Sequence, residues 1–68
     1  MNFTIDIEKE EDGRWITEVL EINGVMTYGN TREEAINKVK ALALRIIADR
    51  IENGENIPEI DMFFSIAA

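Results

Sequence analysis

The sequence predicts a two-layer α+β fold, β-β-β-α-β, with one helix packed on one face of a four-stranded sheet. Three observations carry that expectation. Residues 31–53 place apolar side chains at three- and four-residue spacing between clear helix start and stop signals. The stretches on either side alternate apolar and polar residues with the two-residue period of a half-buried strand. Between the N-terminal stretches stand Asp12-Gly13 and Asn23-Gly24, dipeptides suited to hairpin turns.

Taken in order, Phe3, Ile5 and Ile7 alternate with Thr4, Asp6 and Glu8 to make the first strand. Glu10-Glu11-Asp12-Gly13 turns the chain, and Trp15 to Leu20 forms a second strand that is apolar on both faces, as suits a central position. A tight turn at Asn23-Gly24 leads to a short strand from Val25 to Tyr28, which Gly29-Asn30 ends. Gly24 and Gly29 both read as turn glycines, since no phosphate-binding lysine follows them.

The helix opens on Thr31-Arg32-Glu33-Glu34, a capping box in which the Thr31 hydroxyl accepts from the Glu34 amide and the Glu34 carboxylate reaches back to the cap. It closes at Gly54. Ile36, Val39, Ala43, Ile46 and Ile47 mark its inner face, while Glu34, Lys38, Arg45 and Asp49 lie opposite. Its apolar arc, extended by Leu44, Ala48 and Ile51, is about 200° wide, against a little over 100° needed to cover one sheet. After a connection holding Pro58, the alternation of Ile60, Met62, Phe64 and Ile66 with Asp61, Phe63 and Ser65 predicts a fourth strand. A right-handed return beside the first strand gives the sheet order 3-2-1-4.

Composition narrows the chemistry. A chain of 68 residues is one domain, 1–68, and buries only about 60 % of its surface on folding. It contains no Cys and no His, which removes disulfides, thiolate–metal sites and imidazole catalysis. With stability thin and the last strand an edge of low charge, self-association is expected through Leu44, Ile51, Phe63 and Ile66. Fourteen acidic and seven basic residues, a net charge of −7, repel nucleic acid and anionic membranes and favour a basic protein partner. No apolar run approaches the ~20 residues of a membrane span, and the first residues lack the pattern of a secretory leader. A cytoplasmic location is expected.

Only carboxylates are numerous enough to suggest catalysis. Asp6, either Glu33 or Glu34, and Asp61 would be the ligands of a magnesium-dependent nuclease, but Asp6 alternates away from the helix and Glu34 is accounted for as a cap. Trp15 and Tyr28 have no basic cluster beside them and read as packing groups rather than base-stacking ones. The chain is therefore expected to be non-enzymatic, without metal or cofactor.

From Asp12-Gly13-Arg14-Trp15 onward the sequence resembles the small HicB-like antitoxin family. The likeness is carried by Gly24, Gly29, Thr31, Glu34 and Ala35, which fall on that family's Pro-Gly-hydrophobic-x-x-x-Gly-x-Thr-x-x-Glu-Ala pattern and extend it over about residues 3–50. Asn23 stands where the pattern has proline, and Leu20 occupies another position often held by proline. The resemblance implies a truncated ribonuclease-H-like unit that lacks nuclease activity and neutralises a HicA-like messenger-RNA interferase. No counterpart of the family's C-terminal DNA-binding segment precedes Ala68, so direct nucleic-acid binding is not expected. Charge alone suggests Glu8, Glu10, Glu11, Asp12 and Glu21 as the face for a basic toxin. The alternatives are an orphan domain that only self-associates and the metal-dependent nuclease already described.

Overall fold

In the computed structural model, which describes residues 3–67, a three-stranded antiparallel sheet carries one long helix across one face. The strands β1 (Ile5–Lys9), β2 (Trp15–Val19) and β3 (Met26–Gly29) form a meander in the order β1-β2-β3. The helix α1 spans Arg32–Glu52, and a single turn, α2, spans Pro58–Asp61. The register pairs Ile5 with Val19, Ile7 with Thr17, Trp15 with Gly29 and Thr17 with Thr27. Those residues face α1, and the even-numbered partners face away from it.

The core lies between sheet and helix. Val19, Val25, Val39, Ala43 and Ile47 are buried there, with Ile22 and Ile60 closing one end. The helix obeys its start and stop signals. The Thr31 Oγ1 accepts from the Glu34 amide at 3.0 Å. The returning Glu34 carboxylate bonds the Asn30 amide at 3.5 Å, one residue earlier than a standard capping box would place it. At the other end the Gly54 amide donates to the Ile51 carbonyl and the Glu55 amide to the Arg50 carbonyl, the paired closure of a Schellman motif.

Two glycines behave differently. Gly24 takes a positive φ of 80°, but Asn23 does not, so the turn is not the two-residue type that needs both. The connection instead runs from Leu20 to Val25 and folds Ile22 into the core. Gly29 is not a turn residue at all. It lies in β3, where a Cβ would stand 2.5 Å from the Ala35 amide nitrogen. The first turn of α1 rests directly on the strand backbone at this point, and only a hydrogen at position 29 permits that approach.

The expected fourth strand is absent among the described residues, so the order 3-2-1-4 reduces to its three-strand part. Residues 58–61 form α2 in its place. Pro58 occupies the first turn of α2, a position that asks nothing of its missing amide. Ile57 and Ile60, three residues apart, both turn inward onto the core. That three-residue spacing competes with the two-residue alternation and prevails, because it buries two isoleucines at once. Phe63 and Ile66, assigned from sequence to a strand edge, therefore stand beyond any strand, 65 % and 94 % exposed.

Candidate functional site

The side of the sheet away from α1 is bare. β1 places Asp6 and Glu8 on it, β2 places Ile16 and Glu18, and β3 places Met26 and Tyr28. Asp6 lies directly opposite Glu18, and Glu8 opposite Ile16. Two carboxylates facing each other across a strand pair repel, and among the described residues no Lys or Arg forms an ion pair with either. Next to this acidic row, Ile16 pairs with Tyr28 and Glu18 with Met26. Met26 and Tyr28 are exposed, and a shallow depression is floored by Ile16 and Met26 and walled by Asp6, Glu8 and Glu18. The surface combines negative charge with uncovered apolar area.

The acidic row continues into the β1–β2 hairpin. Glu8, Glu10, Glu11 and Asp12 line one open hollow there with Lys9 and Arg14. Arg14 organises the turn. Its Nε donates to Asp12 Oδ2 at 2.8 Å and its backbone amide to Asp12 Oδ1 at 3.0 Å. These bonds, the backbone one foremost, hold the Asp12 carboxyl below its usual range. The same guanidinium sits 4.7 Å over the Tyr28 ring, a cation–π contact that ties the hairpin to the far strand.

Four of the five acids singled out in the sequence thus come together, and Glu21 does not. It follows β2 at the opposite end of the sheet, where its Oε1 accepts from the Thr4 amide at 2.7 Å. That bond lowers the Glu21 pKa and gives the residue a structural task, fastening the start of β1. Asp6 stands on the open side that its alternation assigned, whereas Glu18, Ile16, Met26 and Tyr28 were missed as surface residues. Their signal was present in the even positions of both strands, but the apolar second face of β2 reads equally well as burial.

The carboxylates considered for a metal do not converge. Asp6 is on the bare sheet face, Glu34 is engaged at the helix start with Asn30 and Lys38, and Asp61 ends α2. The Lys38 ammonium, 3.0 Å away, leads the causes that lower the Glu34 pKa. Among the described residues no three Asp or Glu side chains are placed to hold a metal ion. Trp15 meets the Lys9 ammonium at 5.7 Å from its ring centre. Leu44 and Ile51 are exposed on α1, and no described helix is long and apolar enough to cross a membrane.

These features define a small α+β domain with one sealed sheet face and one open, acidic, partly apolar face. It is 33 % identical over 58 residues to the UPF0150 protein Ta0767 of Thermoplasma acidophilum, a match covering 85 % of this chain and 84 % of that one. The chain belongs to the UPF0150 family. No family model matches it, and no solved structure matches it.

Proposed function

We propose that the protein is a non-enzymatic binding module of HicB-like antitoxin type, whose open sheet face and β1–β2 hairpin cover a small basic HicA-like toxin. One observation carries this reading: the opposed carboxylates of Asp6 and Glu18 stand uncompensated beside half-buried Ile16 and exposed Met26 and Tyr28. A lysine or arginine from a partner placed between those carboxylates would relieve their repulsion, while its apolar neighbours would cover Met26 and Tyr28. The net charge of −7 would steer a basic protein toward the face and speed encounter. The motif of Gly24, Gly29, Thr31, Glu34 and Ala35 supports the antitoxin assignment and its cytoplasmic setting. In this reading Glu8, Glu10, Glu11 and Asp12 extend the contact, and Glu21 does not take part.

The test is a titration of the purified protein into the RNA-cleavage reaction of a short basic HicA-like interferase from the same source. Cleavage is expected to stop near stoichiometric addition and to recover in high salt. A Glu18→Lys variant is expected to need about tenfold more protein. A toxin that cleaves at full rate in the presence of a large excess of this chain would defeat the proposal.

A further inference from the structure

The other side of the domain presents an incomplete surface of its own. α1 lies over β2 and β3 but only grazes β1. Between the inner side of β1 and the second half of α1 a groove of about 240 Å³ remains, lined by Phe3, Ile5, Val19, Ala43, Leu44 and Ile47, with Lys40 at its rim. Among the described residues the outer backbone of β1 is also free. Leu20 donates to the Thr4 carbonyl and Glu10 to the Arg14 carbonyl, so the even-numbered residues bond inward to β2. By alternation, Ile5 and Ile7 then offer their amides and carbonyls along an open edge.

The same chain carries a segment of matching chemistry. Every residue from Asp61 to Ala67 is exposed. Among them Met62, Phe64 and Ile66 would share one side of an extended strand, with Phe63 on the other. Four large apolar side chains left in water oppose the fold, and the free edge beside the groove is an invitation to strand addition. The segment does not occupy the groove of its own chain: the molecule is 53 Å long against 20 and 16 Å across, and its end remains uncovered.

We propose that residues 62–67 of one copy add as a strand to the β1 edge of a second copy, setting Phe64 and Ile66 into the groove beside Leu44. A two-fold axis makes the exchange reciprocal. Each tail brings four large apolar groups of ~150 Å² apiece, and with the surfaces they cover the pair buries on the order of 2,000 Å², the size of a stable specific interface. The chain then gains the fourth strand that its alternation encodes, in trans rather than in cis. On the opposite side of the sheet the added strand brings only one large side chain, Phe63, beside β1 and leaves Ile16, Met26 and Tyr28 uncovered, so the exchange stands independently of the partner proposed above.

Light scattering and size-exclusion chromatography of three whole chains test the exchange: wild type, the tail double variant Phe64→Asp/Ile66→Asp, and the groove variant Leu44→Asp. The wild type is expected to be a dimer. Each variant is expected to dissociate about 100-fold more readily, with its helical circular dichroism unchanged. Mixed in equal amounts, the two variants are expected to recover dimer, because one intact tail still meets one intact groove. A second measurement uses the absence of native cysteine: Leu44→Cys and Phe64→Cys chains mixed and oxidised are expected to form a covalent heterodimer. A wild type that stays monomeric at high concentration, a dimer indifferent to the tail charges, a variant mixture that remains monomeric or a missing disulfide would each overturn the proposal.

Discussion

The two faces of the sheet are built from the same three strands, alternate residue by alternate residue, yet they differ in almost every physical respect. Against α1 lie Val19, Thr17 and Gly29, closed from water and in contact with helix backbone or side chains. One residue along each strand lie Glu18 and Ile16, half-buried, and Tyr28, exposed. The sealed face even spends polar groups on docking. Thr17 Oγ1 donates to the Ala35 carbonyl at 2.9 Å, Thr27 Oγ1 reaches the same oxygen at 3.1 Å, and the two hydroxyls lie 2.9 Å apart. This buried triangle fixes the first turn of α1 on the strands, and its polar atoms are satisfied. The open face shows the reverse: polar groups left opposed, apolar groups left bare. One side is arranged for stability and the other tolerates a stability cost, as surfaces that await a partner do.

Substitutions at neighbouring positions should separate the two sides. The largest effect is expected at Gly29→Ala, where a methyl must push back the Ala35 backbone; a loss of about 3 kcal/mol would appear in the urea midpoint. Thr17→Val keeps the shape but removes the hydroxyl from the triangle, and a loss of about 1.5 kcal/mol is expected by the same measurement. Thr31→Ala, which strips the helix cap, is expected to cost about 1 kcal/mol.

Across the sheet the sign should change. Glu18→Lys places a cation opposite Asp6, so thermal unfolding should show a gain of roughly 0.5 kcal/mol, while the proposed partner binding should weaken. A loss of stability there would remove the contrast between the faces.

Acid gives the mildest probe. Glu21 has its pKa lowered in the folded chain by the Thr4 amide, so its stabilisation is complete above the unfolded value and fades as pH falls below about 4.5. Asp12 and Glu34 act in the same direction. A Glu21→Gln variant should therefore show a shallower loss of stability through that range in pH-dependent denaturation.

The helix was legible in the chain because its signals are local. Thr31, Glu34 and Gly54 act within a few residues of themselves, and the apolar spacing needs no partner to be recognised. The first hairpin was legible for the same reason. What failed to show was decided at a distance. Gly29 looks like a turn glycine until α1 is seen resting on it. Glu21 looks like a surface acid until the Thr4 amide arrives from seventeen residues away. Ile57 looks like part of a connection and Ile60 like the start of a strand until the core offers both a place.

Local pattern and composition alone specify three strands, one long capped helix, an acidic balance and a chain without imidazole or thiol chemistry. Period, capping and composition are properties of near neighbours, and no tertiary contact can change them. Packing between distant segments settled where backbone meets backbone at Gly29, which side of β2 stays open, and that the final apolar segment finds no place on its own body. Each of those outcomes is a competition for one buried surface. Such a competition is settled by which side chains reach the surface together, not by the order in which they stand in the chain.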